Sequence, residues 1–194
     1  VFVDTYAEGV GIVNVGVDDY KGGWLSATHL LDKGHRKIAF AGPSIQRLDV
    51  MQCRYEGFRD ACRERGVELQ QEDIYLTNTF YSCGVETGRQ IAAGEKDYTA
   101  VAAMSDIAAF GIMEGLRQGG KRVPEDISVI GFDDLLECQY TYPRLTSISQ
   151  NVEKKAEKAV RWLLDMIAKE ALPERCEKND VSVEERDSVR DMTV

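Results

Sequence analysis

Apolar residues along this chain come in short runs that alternate with longer stretches of helical spacing. The runs at 13–17, 37–41, 73–77, 99–104 and 127–132 have the length and composition of strands. Between them, 22–33, 50–65, 84–93 and 107–118 repeat apolar positions every three to four residues. Gly34, Gly66, Gly94 and Gly119-Gly120 stand where those helices would stop. Strand–helix alternation with short connections predicts an α/β fold of doubly wound, mainly parallel sheets. The chain opens inside another apolar run, 1–3, and a strand at an extreme end needs a neighbour, so further sequence is expected upstream. After Pro143 the rhythm changes. A short strand is expected at 145–149, then an amphipathic helix at 152–168 on which Val152, Ala156, Ala159, Val160, Leu163 and Ile167 share a stripe with Lys and Glu opposite. The tail from Glu170 is charge-rich, and its one expected element is a strand at 181–184.

The run at 127–132 is the most informative. It leaves a turn at Val123-Pro124-Glu125-Asp126 and ends on Asp133 and Asp134. A nearly all-apolar strand suits the centre of a parallel sheet, buried on both faces. Ligands of open α/β sheets sit just past the carboxyl ends of the strands. A carboxylate buried there unpaired costs on the order of several kcal/mol. Asp133 or Asp134 therefore faces water, or it meets a cation or a hydroxyl-rich ligand. Other expected strands finish alike, on Asp4, on Asp18 and Asp19, and on Ser105 and Asp106. For Asp18 and Asp19 a turn role is the simpler reading. Ser105 or Asp106 equally suits a cap on the following helix, which does not exclude ligand contact.

Arg54 lies within the apolar stripe formed by Val50, Met51, Phe58 and Ala61. A guanidinium so placed either snorkels outward or reaches an anion, such as Asp133 or a ligand oxygen. Phe80 and Tyr81 follow a strand end, where they would either give a sugar ring a flat surface or pack into the core.

Composition narrows the possibilities. The 194 residues suffice for one large domain or two small ones, and 43% hydrophobic with 29% charged residues is ordinary for a soluble protein. A net charge of −9 argues against nucleic acid or an anionic membrane as a direct partner of this polypeptide. No apolar run approaches membrane-spanning length, and no secretion-signal pattern is present. Five cysteines without CxxC spacing read as reduced thiols of a cytoplasmic protein. His29 and His35 have no neighbours at metal-ligand spacing, so neither a metal nor a cofactor is expected. Without a GxSxG elbow, P-loop or GxGxxG there is no catalytic constellation, and no enzyme is expected. Asp133 and Asp134 could hold Mg²⁺ in a phosphatase-like enzyme, but the nucleophile or phosphate loop this needs is missing.

The segments VFVD (1–4), VDDYKGGWLSATHLLDKGHRKIAFAGP (17–43), RYEGFRDA (54–61), SDIAAFGIMEGLRQGGKRVPEDISVIGFDD (105–134), YPRLTSISQNVEKKAEKAVRWLL (142–164) and VSVEERDSV (181–189) resemble the lactose-repressor/galactose-repressor family of bacterial transcription regulators. The resemblance is to the family's effector-binding domain and covers nearly the whole chain. It implies a type I periplasmic-binding-protein-like fold of two α/β subdomains around a small-molecule cleft. Residues 1–17 and 151–182 would be the remnant of an incomplete N-subdomain. Residues 18–150 and 183–190 would form the C-subdomain, with 191–194 as a tail. The family's helix-turn-helix DNA-binding domain is absent from this sequence, so operator DNA would be bound through that domain and not through these residues. The implied effector, a small molecule of sugar type, would contact Asp4, Arg54, Asp133, and Ser105 with Asp106. The family most often has Asn where this chain has Ser105. Leu135, Leu136, Cys138, Tyr140 and Tyr142 fall in a dimer-interface segment, which implies a homodimer. A transporter's periplasmic sugar-binding protein, with the same fold, is the main rival reading.

Overall fold

The computed structural model describes residues 1–4, 13–43, 50–168 and 176–193. The first part of the charge-rich tail, 170–175, lies outside the described residues, as does 194. Nine strands and five α-helices are described, in two sheets. The larger sheet has the order β4-β3-β5-β6-β7-β9. Its strands are β3 (Ile38–Gly42), β4 (Ile74–Leu76), β5 (Ala100–Ala103), β6 (Ser128–Asp133), β7 (Thr146–Ser149) and β9 (Ser182–Glu184). All neighbours are parallel except β7 and β9. The smaller sheet, all parallel, is β1 (Phe2–Val3), β2 (Asn14–Val17) and β8 (Cys176–Asn179).

The period of two along the central strands explains how the large sheet is covered. Ile38 and Phe40 point to one face, where they pack with Leu30 and Leu31 of α1 (Asp19–Asp32) and Phe58 of α2 (Val50–Glu64). Ala39 and Ala41 point to the other, against Ile91 of α3 (Tyr81–Ala93) and Ile112 and Leu116 of α4 (Asp106–Gln118). β6 divides the same way, with Ile130 and Phe132 on the first face and Val129 on the second. Both faces of the central strands are thus buried, as their continuous apolar character requires. The helices α1 and α2 come into backbone contact. A Cβ on Gly23 would lie 1.8 Å from the carbonyl oxygen of Arg54, so only glycine lets α2 approach this closely. That approach brings Arg54 over the first turn of α1.

Two expectations need correcting. The strand β8 was not foreseen, because Cys-Glu-Lys-Asn has no apolar alternation; it forms by pairing in register with β2, Asn14 opposite Cys176. The helix α5 (Val152–Ala168) has the expected bounds but not the expected buried face. Val152, Val160, Leu163 and Ile167 are exposed, Ile167 at 70%. The face turned inward carries Lys155 and Trp162 and shares only Ala159 with the apolar stripe. Trp162 and Ala159 pack on Val13 and Val15, the only core the small sheet offers among the described residues.

Candidate functional site

In the large sheet the chain runs from β3 outward to β4, then returns to the other side as β5. The strand order therefore reverses between β3 and β5, the place beyond the carboxyl ends where open α/β sheets take their ligands. Arg54 reaches this point. Its Nη1 donates to the carbonyl of Met104, just past β5, at 2.9 Å. Its Nε donates to Asp19 Oδ1 at 2.8 Å, and the guanidinium carbon lies 3.5 Å from the centre of the Phe132 ring. Both members of the Arg54–Asp19 pair are almost fully buried. Asp133 Oδ1 is 3.9 Å from Arg54 Nη1. Arg54 thus enters the cleft, but its main partner is Asp19. Sequence reading had assigned Asp19 to a turn; it is Asp18 that caps α1, accepting from the Lys21 amide at 3.0 Å.

Asp133 ends β6 with a backbone φ of 122°, a conformation costly for a residue with a side chain. Asp4 (φ 53°) and Asn151 (φ 48°) are also left-handed, and all three lie where the two sheets meet. Asp133 Oδ1 accepts a hydrogen bond from Gln150 Nε2. Gln150 Oε1 accepts from Lys155 Nζ at 2.8 Å, and Lys155 Nζ donates to Asp4 Oδ2 at 2.6 Å. A continuous polar relay, Asp133–Gln150–Lys155–Asp4, therefore spans from the end of β6 in the large sheet to the end of β1 in the small one. Burial pushes the Asp133 carboxyl up to about 6, against the pull of the Arg54 charge. Neither Gln150 nor Lys155 was singled out from sequence. Lys155 reads there as one more solvated lysine on a charged helix face.

Ser105 and Asp106 stand at the start of α4. Ser105 is buried and caps α4, its hydroxyl accepting from the Ala108 amide at 3.3 Å. The backbone of Asp106 hydrogen-bonds the Asp133 carboxyl, while its own side chain turns beneath the sheet end. It is fully buried, Oδ1 accepts from Ser147 Oγ at 2.6 Å, and Oδ2 accepts from the Leu135 amide at 2.8 Å and the Cys138 thiol at 3.1 Å. A Cβ on residue 131 would fall 2.2 Å from Asp106 Oδ1, so Gly131 makes room for the carboxylate beneath the sheet end. With its acceptors occupied, Asp106 ties α4 to the segment after β6; burial raises its pKa. Asp134 turns from the cleft to pair with Arg186 at 2.6 Å.

Phe80 and Tyr81 do not join the Asp133 cluster. Phe80 is exposed at the start of α3. Tyr81 lines a groove of about 580 Å³ with Phe110, Met113, Arg117, Val123, Tyr142 and Pro143. No residue of the Asp133 relay lines it. The 135–142 segment is split in the same way. Leu136, Tyr140 and Tyr142 are exposed, whereas Leu135 packs on the core and Cys138 is fully buried. The 3-10 turn at Leu136–Gln139 directs the Cys138 thiol inward to Asp106, and that burial raises its pKa. Cys138 is thus not surface available to a partner, whereas Leu135 is half-buried. Among the described residues no group of three His, Cys, Asp or Glu could hold a metal ion, and no helix is long and apolar enough to cross a membrane.

Comparison with known proteins agrees with this architecture. The family described as periplasmic binding protein-like domain matches residues 27–189. The chain is 35% identical over 151 residues to the HTH-type transcriptional repressor PurR of Mannheimia succiniciproducens, covering 78% of this chain and 45% of that protein. It is 30% identical over 174 residues to the HTH-type transcriptional regulator RegA of Clostridium saccharobutylicum, covering 90% and 52%. The chain thus spans about half the length of these curated relatives. Among solved structures, a LacI family transcriptional regulator from Enterococcus faecium with bound ribose superposes with a TM-score of 0.85 at 30% identity. The match covers 98% of this chain and 71% of that one.

Proposed function

The chain belongs to the periplasmic binding protein-like family of LacI-type regulator domains, and on that premise we propose that it is the effector-sensing part of a bacterial transcription regulator. The two sheets are the cores of two subdomains, and a small polyol of sugar type binds between their carboxyl ends. The observation that carries this reading is the convergence of Asp133, Arg54 and Asp4 at the junction of the sheets. Carboxylates and a guanidinium fix hydroxyls through charge-assisted hydrogen bonds. Binding there changes how the sheets close on each other, and closure shifts the population of DNA-competent protein. DNA contact belongs to a helix-turn-helix domain outside these residues.

The test is a calorimetric screen of sugars against the product of the complete gene, before and after Asp133→Asn. Loss of one charge-assisted hydrogen bond, about 1.5–3 kcal/mol, predicts roughly 10- to 150-fold weaker binding. Equal binding by both forms would remove Asp133 from the site.

The groove beneath Tyr142 supports a homodimer. Tyr81, Phe110, Met113 and Tyr142 give it an aromatic and apolar floor, with Arg117 and Arg122 at its rim. That composition suits a self-complementary interface. Tyr142→Asp places a charge in it, and sedimentation velocity should then show monomer in place of dimer. A variant that sediments as the wild type does would exclude this face.

A further inference from the structure

Lys155 is hard to explain as part of a scaffold. It is 4% exposed and sits in the first turn of α5, where the positive end of the helix dipole disfavours a cation. A buried ammonium is retained only when it is paired, and an aliphatic side chain would fill the same space at lower cost. Its partners, Asp4 and Gln150, each lead to a strand end that borders the cleft. An ammonium has three donors, and these two partners occupy two of them. The third has no partner among the described residues.

We propose that Lys155 is a specificity-determining residue of this cleft: with Asp4 it forms a donor–acceptor pair that receives a hydroxyl of an uncharged polyol. The inference rests on the cleft reading above and extends it by naming the residue and the charge class of the effector. The charges decide the class. Arg54 is neutralised by Asp19 and Lys155 by Asp4, which leaves Asp133 as the remaining charge. Among these five residues no cation is left over, so a carboxylate or phosphate placed against them would meet a net negative charge. A hydroxyl can accept from Lys155 while donating to Asp4 or Asp133, without disturbing the balance. Gln150 then links this contact to Asp133, so one polar chain reads both sides of the ligand.

The experiment is calorimetric titration of the product of the complete gene, with ribose, glucose, galactose, cellobiose, gluconate and glucose 6-phosphate as probes. Wild type, Lys155→Met, Lys155→Gln and Asp133→Asn are compared, and the melting temperature of each unliganded protein is recorded. At least one uncharged sugar should bind and neither anion should. Lys155→Met should weaken binding roughly 10- to 100-fold, and Lys155→Gln, which keeps a donor, should weaken it less, in an order that the melting temperatures of the unliganded proteins do not follow. If Asp133→Asn loses binding while both Lys155 variants keep it, Lys155 is not a ligand contact and the cleft stands. Preference for gluconate or glucose 6-phosphate would overturn the charge class. Affinity losses that track equal losses of melting temperature in both Lys155 variants would make Lys155 a structural strut. If no probe binds, the cleft reading falls and this inference falls with it.

Discussion

Arg54→Met should destabilise the protein by about 3–5 kcal/mol, the range for removing one member of a buried ion pair. The substitution removes the Arg54 charge from Asp19, which is 2% exposed, and it removes the donor to the Met104 carbonyl. It also takes away the guanidinium charge that draws the Asp133 carboxyl downward. Adding Asp19→Asn should restore much of the loss, because the main penalty is a buried carboxylate deprived of the Arg54 charge and not the missing contact. Urea denaturation of wild type, single and double variants at pH 7 measures this as a double-mutant cycle. A loss below about 1 kcal/mol for Arg54→Met would show that the guanidinium is solvated instead of paired, as a snorkelling arginine would be.

The second large effect has the opposite sign. Asp133→Asn should stabilise the unliganded protein at pH 7, by about 2–3 kcal/mol. The folded carboxyl titrates at about 6, against an ordinary value of 3.8. Between those values the folded state binds the proton more tightly than the unfolded one. Its favourable contribution is complete below 3.8 and is lost as pH rises through about 6. At pH 7 wild type therefore carries an ionised carboxylate that burial disfavours, and the amide does not. The gap between the two proteins should shrink as pH falls from 7 to 4. His35 works in the other direction, since burial lowers its pKa to about 4, but it is common to both proteins and cancels in the difference. A constant gap across this range, or a less stable variant at pH 7, would contradict the assignment. Together with the expected loss of sugar binding, the variant would show stability given up for a ligand contact.

The alternation of strands and helices was legible because most of the elements have an apolar rhythm of their own. Where an element depends on a distant partner, the rhythm misleads. β8 has no apolar pattern, and its ladder with β2 alone makes it a strand. On α5 the most regular apolar stripe is exposed, and a lysine occupies the inward face. Arg54 was legible as a cation in an apolar stripe, but its partner Asp19, 35 positions earlier, read as a turn residue. Asp133 stood out because a buried strand ended on it. Asp106 looked equivalent by the same rule. What separates them is Gly131, Ser147 and Cys138, which close around Asp106 and leave Asp133 facing the junction. Lys155 carried no local signal, since its burial depends on an aspartate 151 positions away.

The claim at the centre of this account is that the junction of the two sheets is where the effector binds. A crystal structure of the complete-gene product with the sugar selected by calorimetry tests it most directly. The account predicts ligand density beyond the carboxyl ends of both sheets, with hydroxyls within hydrogen-bonding distance of Asp133 and Arg54. Density in the groove under Tyr142, or anywhere else with that junction empty, would contradict it.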